Sequence, residues 1–270
     1  MPTKLTFIDQ LGRKIVLDKY PSRIISVVPS QTELLFDLGL GERVAGVTKY
    51  CCHPASALQN SAVIGATKQL DLNLIRSLKP DLIIANKEEN DREQIEELMQ
   101  EFPVWVSDIN DLSGSLQMIQ AISELTCTTQ TASNLIRRIE AGFSNLTTIS
   151  KPLDVLYFIW RKPYMTAGTG TFIDHLLARC GLRNALLADR YPALSAEEIV
   201  NLNPAVIFLS SEPYPFKEKH IAEFRELLPD ALIEIVDGEL FSWYGSRLIY
   251  SPDYFNALIT NIDKRLGVKK

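Results

Sequence analysis

Histidine is nearly missing from this chain: His53, His175 and His220 are the only three, too few and too scattered in sequence for a multi-histidine metal centre. The four cysteines, Cys51, Cys52, Cys127 and Cys180, form no CxxC pair and no dense disulfide pattern. That excludes a ribbon-type zinc domain and a small disulfide scaffold, and suits a reducing compartment. Cys51, Cys52 and His53 are zinc-type donors, but adjacent cysteines are poorly spaced to grip one ion, and no second Cys/His pair accompanies them. They read as small buried thiols beside a structural histidine, so no metal ligand and no resident cofactor is assigned.

Positive charge is in deficit, with 28 Lys and Arg against 33 Asp and Glu and a net charge of -5. The concentrated basic face that nucleic acid requires is therefore not expected. Hydrophobic residues make up 46% of the 270, yet no window approaches the roughly 20 consecutive apolar residues of a membrane-spanning helix. No Gly/Ser-rich or low-complexity stretch interrupts the chain. The opening MPTKLTFIDQLGRKIVL alternates apolar and polar residues around a turn at residues 9–12. It reads as a β-hairpin over residues 5–17 and not as an export signal, so taken alone the sequence points to a cytoplasmic location. Signatures of catalysis are scarce too. There is no G-x-S-x-G, and Gly168, Thr169 and Gly170 lack the Lys-Ser/Thr ending of a phosphate loop. Residues 166–171 read instead as a turn that lets backbone approach a ligand.

What the chain does have is a repeat. Residues 70–88 (LDLNLIRSLKPDLIIANKE) recur without a gap 124 positions later as residues 194–212 (LSAEEIVNLNPAVIFLSSE). Ile75 matches Ile199, Leu78 matches Leu202, Pro80 matches Pro204, Ile83 matches Ile207 and Glu88 matches Glu212. Each copy predicts a short helix, a proline that ends it, a buried strand and a polar loop. A unit built twice predicts two similar lobes with a cleft between them.

Strands alternate with helices on both sides of this repeat. RIISVV, ended by Pro29, precedes a helix predicted over residues 32–38, and VLYFIW opens a second series after Pro152. Between them lies a long helical stretch over residues 113–149, whose second part, residues 129–148, would extend about 30 Å. The fold expected is α/β: two lobes with mostly parallel sheets joined by one long helix. The lobes are expected at residues 1–127 and 151–270, with the bridging helix at 128–150, in a monomer.

Loops leaving the carboxyl ends of parallel strands converge on the ligand crevice, and here those loops are rich in cations and aromatics. The first lobe offers Ser30, Thr48, Lys49, Tyr50, Thr67, Lys68, Lys87 and Glu88. The second offers Trp160 and Arg161 with Lys162 and Tyr164 nearby, then Ser211, Glu212, Tyr214 and Phe216, then Phe241, Trp243, Tyr244 and Arg247. Flat apolar faces beside cationic groups suit a bulky, partly aromatic or macrocyclic ligand carrying negative groups, with Arg161 and Arg247 as an anion clamp. An enzyme using Lys49, Lys87, Glu88 or Glu212 as acid or base is the less favoured reading, because no base is paired with a nucleophile.

The run RIISVVPSQTELLFDLGLGERVAGVTKY, followed by IGATKQLDLNLIRSLKPDLIIA, resembles the cobalamin- and iron-siderophore-binding proteins of ABC importers, over residues 21–266. The resemblance implies two Rossmann-like lobes joined by a bridging helix, in a periplasmic receptor that holds a cobalamin-like, ferric-siderophore or haem-like ligand between them. It places Tyr50 and the loop around Trp243 where aromatics line the cleft. It also implies docking onto a membrane permease through one acidic residue per lobe, positions that fall at Asn73 and near Ser242 here. A cytoplasmic binder or sensor on the same scaffold is the alternative.

Overall fold

The computed structural model describes residues 4–267 and divides them into two compact units. Unit 1 comprises the chain to Ile109, then Ser113–Ile139 and Tyr244–Arg247, and unit 2 comprises Asn110–Leu112, Glu140–Trp243 and the chain from Leu248.

Unit 1 opens on the expected hairpin, β1 (Leu5–Ile8) and β2 (Lys14–Leu17), paired antiparallel. Asp9 shapes its turn by accepting from the backbone N–H groups of Leu11 and Arg13. Then follow β3 (Ile24–Ser26), α1 (Pro29–Asp37), β4 (Val44–Val47), α2 (Ser56–Asn60), β5 (Ala62–Val63), the small antiparallel pair β6 (Gly65–Ala66) and β7 (Gln69–Leu70), α3 (Leu72–Leu78), β8 (Leu82–Asn86), α4 (Arg92–Met99) and β9 (Val104–Ser107). The sheet order is β5-β4-β3-β8-β9 and every pairing in it is parallel. Strands β3, β8 and β9 are buried on both faces, as their continuous apolar runs require, whereas the edge strand β5 is partly exposed. The hairpin covers the β9 edge, with Gln10 N–H donating to Val106 and the Trp105 indole donating to Ile8.

Two helices continue the chain, α5 (Leu112–Thr126) and α6 (Thr129–Ser144), and α6 passes from unit 1 into unit 2. The expected helix over residues 113–149 is broken at Cys127, which takes a left-handed φ of 60°, and α6 stops four residues short of the expected 148. No helix among the described residues is long and apolar enough to cross a membrane.

Unit 2 contains β10 (Asp154–Trp160), β11 (Tyr164–Thr166), α7 (Phe172–Arg179), β12 (Arg183–Asn184), β13 (Ala193–Leu194), α8 (Ala196–Leu202), β14 (Val206–Ser210), α9 (Glu218–Leu227), β15 (Leu232–Val236), α10 (Gly238–Ser242) and α11 (Ser251–Arg265). Strands β10, β14 and β15 are parallel, and β12 runs parallel to β10. Strands β11 and β13 extend this sheet in antiparallel fashion, an addition the apolar pattern did not announce.

The repeat is reproduced element by element. Every boundary of α3 and β8 recurs 124 positions later in α8 and β14. The N-caps are Asp71 and Ser195, each accepting from a backbone N–H three residues on. Both helices end on a left-handed residue, Lys79 at φ 49° and Asn203 at φ 44°, followed by the proline that prevents continuation.

Candidate functional site

In unit 1 the carboxyl ends of the parallel strands carry the predicted loops, and buried side chains hold them. Residues 48–53 follow β4. Thr48 and Cys51 are fully buried there, with the Cys51 sulfur 3.3 Å from the Thr48 hydroxyl and 3.1 Å from that of Thr32 on α1. Burial pushes the Cys51 thiol pKa up, so it is kept as a neutral thiol. Around this anchor the intervening residues face outward. Tyr50 is 51% exposed, and the Lys49 ammonium lies 5.1 Å from its ring centroid. Thr48 thus serves as an anchor, whereas Lys49 and Tyr50 present chemistry to solvent.

The loop after β8 is built on amides. Asn86 accepts through its side-chain oxygen from the N–H groups of Glu88 and Glu89. Asn90 accepts from Asn86 N–H and donates to the carbonyls of Val27 and Thr67, tying three loops together. Lys68 reaches the same loop, donating to the carbonyls of Glu88 and Asn90. Lys87 pairs with Asp108 at 2.7 Å. Of the four predicted first-lobe cations and acids, Lys68 and Lys87 therefore have structural partners. Ser30 is not in a loop at all: with Pro29 at its first position, α1 begins three residues before the predicted start, and Ser30 is buried in its first turn.

A four-residue piece of the C-terminal half, Tyr244–Arg247, completes unit 1. The Tyr244 hydroxyl bonds to Glu89, Gly245 N–H donates to Ser115, and Arg247 donates two bonds to the Glu33 carboxylate. Gly245 sits at φ 104°, a conformation that side-chain-bearing residues rarely adopt. Burial raises the pKa of Glu33, and Arg247 partly opposes that rise.

In unit 2 the loop after β14 repeats the device seen after β8. Ser210, 124 positions after Asn86, accepts from Glu212 N–H. Glu212 then accepts from the Ser242 hydroxyl and the Trp243 indole, each at 2.8 Å. Burial nevertheless raises its pKa, with the two hydrogen bonds acting against the shift. Consecutive aromatics are thus used in the same way: Trp243 donates to the acid of unit 2, and Tyr244 to an acid of unit 1. Both rings are buried. Phe241 is buried completely, against Tyr157, Phe208 and Phe255. It supports the loops from beneath.

The aromatic surface of unit 2 lies elsewhere. Trp160, 40% exposed at the end of β10, packs edge-on against Tyr214, which packs against Phe216. His220 locks this group: its Nδ1 accepts from Lys217 N–H and its Nε2 meets the Tyr214 hydroxyl at 3.3 Å. Arg161 donates to Glu223, which also accepts from the Tyr164 hydroxyl. Both arginines of the expected anion clamp are therefore paired with carboxylates inside their own units, Arg161 with Glu223 and Arg247 with Glu33. Ser211 is exposed but accepts from Gly238 N–H. The glycine turn at residues 166–171 is approached by the chain's own backbone: a Cβ on Gly168 would lie 2.1 Å from the Ala188 carbonyl.

Sequence reasoning missed the acids Glu33, Glu89 and Glu223 and the amides Asn86 and Asn90. Their partners lie between 2 and 214 residues away, and no local pattern marks such residues.

A family model described as periplasmic binding protein matches residues 24–234. The chain is 29% identical to the vitamin B12-binding protein of Vibrio cholerae over 195 residues, 70% of each chain. It is 28% identical over 217 residues to an uncharacterized ABC transporter substrate-binding lipoprotein of Bacillus subtilis, covering 75% of this chain and 68% of the relative. Among solved structures, the periplasmic vitamin B12-binding protein of Vibrio cholerae superposes with a TM-score of 0.76 at 23% identity, over 91% of this chain and 99% of the other.

Proposed function

The chain belongs to the periplasmic binding protein family, and we propose that it is the receptor of an ABC importer for a metal-containing macrocycle of the cobalamin class. Members of this family are substrate-binding proteins. The observation that carries the ligand class is Tyr50: a large aromatic left half-exposed on a loop whose flanking Thr48 and Cys51 are fully buried. An unpacked ring on an anchored loop, with Lys49 beside it, offers a flat apolar face and a cation to a planar, negatively substituted ligand. Trp160 offers a second such face on unit 2. The relatives named for vitamin B12 favour a corrinoid over haem or a ferric siderophore.

The proposed partner is the importer's membrane permease, and the proposed site of action is the outer face of the cytoplasmic membrane. Ser242 donates its hydroxyl to Glu212, and we assign no docking role to it. The position equivalent to Asn73 in the repeat is Glu197, exposed in the first turn of α8, and we assign the second docking acid there.

The visible spectrum of the protein purified from its own host tests the ligand class. Corrinoid absorption at about one equivalent per chain is expected. A colourless protein that also takes up no corrinoid, haem or ferric chelate on incubation would overturn the proposal.

A further inference from the structure

A groove of about 300 Å³ in unit 1 lies between residues 13–16 and residues 102–104, with Met99 at the end of α4 beside them. Side chains alternate faces along a strand, so a space lined by four consecutive residues runs along the backbone edge at β2 and not over one face of it. That edge is the free one. Asp9 N–H donates to the Arg13 carbonyl, which sets the phase of the hairpin ladder. Ile15 and Leu17 therefore exchange bonds with β1, and the N–H and C=O groups of Lys14 and Val16 point away from it. On the opposite wall, Ile83 N–H donates to the Pro103 carbonyl and Val104 stands beside Ile83, so the backbone groups of Val104 point away from β8. Strand β9 is the last of its sheet, and the hairpin bonds to its backbone further on, from Gln10 N–H to Val106. Two strand edges thus face one groove with backbone donors and acceptors to offer.

The side chains add charge and apolar surface. Lys14 is exposed, and no ion pair among the described residues engages it. Arg13, by contrast, is held by Asp9 and the Met99 sulfur. Val16 is 40% exposed, and Met99 and Phe102 are half-buried. We infer that the groove binds a short peptide of about two or three residues, with a free carboxylate and an apolar side chain. The peptide backbone adds to the edges of β2 and β9, the carboxylate meets the Lys14 ammonium, and the apolar side chain covers Val16, Met99 and Phe102. Free edges alone accept any extended chain, and a lysine alone accepts any anion. Their combination, in a volume at the lower limit of small-ligand sites, selects the end of a peptide. Val104 opens β9, so the groove lies toward the amino ends of the strands, away from the carboxyl-end loop that carries Tyr50. The site is separate from the one proposed for the macrocycle and too small for it.

The test uses the whole chain, with N-acetyl-valyl-phenylalanine bearing a free carboxylate as probe. Saturable binding that slows amide hydrogen exchange at Lys14, Val16 and Val104 is expected. Amidating the probe's carboxylate should weaken binding about threefold. Lys14→Met, at an exposed position, should weaken binding of the free acid by the same factor and leave the amidated probe unaffected. No saturation, saturation without slowed exchange at these amides, or wild-type affinity for both probes in Lys14→Met would each overturn the inference. Equal binding of phenylpropionate, which has no backbone to pair, would overturn it as well. Slowed exchange at the same amides on raising the protein concentration without probe would assign the groove to a second copy of the chain instead. Excess cyanocobalamin should leave peptide binding unchanged, and competition between the two would show that the sites are not separate.

Discussion

Arg247 donates from Nε and Nη2 to the two carboxylate oxygens of Glu33, at 2.8 and 2.7 Å, across 214 residues of sequence. Both side chains are largely buried, 14% and 10% exposed, so the pair fastens the Tyr244–Arg247 segment to unit 1. Removing one partner of a buried pair leaves the other charge uncompensated. Arg247→Ala is expected to cost about 3 kcal/mol, and the Glu33→Ala/Arg247→Ala double variant less than the sum of the two single changes. Denaturant midpoints check this, and an unchanged midpoint for Arg247→Ala would show that the pair fastens nothing.

Glu212 predicts a pH signature. Its pKa in the folded chain lies above the ordinary 4.5, with burial as the main cause. Folding therefore favours the protonated form, and the group's contribution to stability is full below the unfolded pKa and is lost as pH rises through the folded one. Glu212→Gln removes this dependence. The stability of the variant relative to wild type should improve from pH 4 toward pH 7, and parallel pH–stability curves would contradict the assignment.

The two left-handed caps of the repeat should respond differently to glycine. Lys79 at φ 49° is an ordinary residue in a conformation that costs it about 1 kcal/mol, whereas Asn203 at φ 44° tolerates that region better. Lys79→Gly should raise the melting temperature, and Asn203→Gly should do so less. A fall in melting temperature for Lys79→Gly would count against the reading of these caps.

Glu197 is expected to matter for delivery and not for capture. Glu197→Arg should leave corrinoid affinity unchanged while reducing permease-dependent uptake into cells or vesicles severalfold. Unimpaired uptake would remove Glu197 from the docking surface.

Much of the scaffold was legible in the chain itself. The repeat at residues 70 and 194 announced two copies of one helix–strand unit because Ile75, Leu78, Pro80 and Ile83 reappear at one spacing, and the pattern of buried positions dictates the elements. The site was legible only in part. Tyr50 and Trp160, both singled out in the sequence, are exposed. Arg161 and Arg247, which in sequence resemble anion ligands among aromatics, each found a carboxylate partner. A charged loop residue looks the same in sequence whether it faces solvent or a distant acid, because pairing is decided by tertiary structure. The same holds for Trp243 and Tyr244, whose polar edges are bound to Glu212 and Glu89.

The central claim is that this chain binds a corrinoid through the exposed aromatics of its carboxyl-end loops. Calorimetric titration of ligand-free protein with cyanocobalamin tests it most directly, using the wild type and Tyr50→Ala. Saturable binding by the wild type, weakened about tenfold by the substitution, is the predicted result. Absence of heat and of saturation in the wild type, or equal affinity in the two proteins, would contradict it.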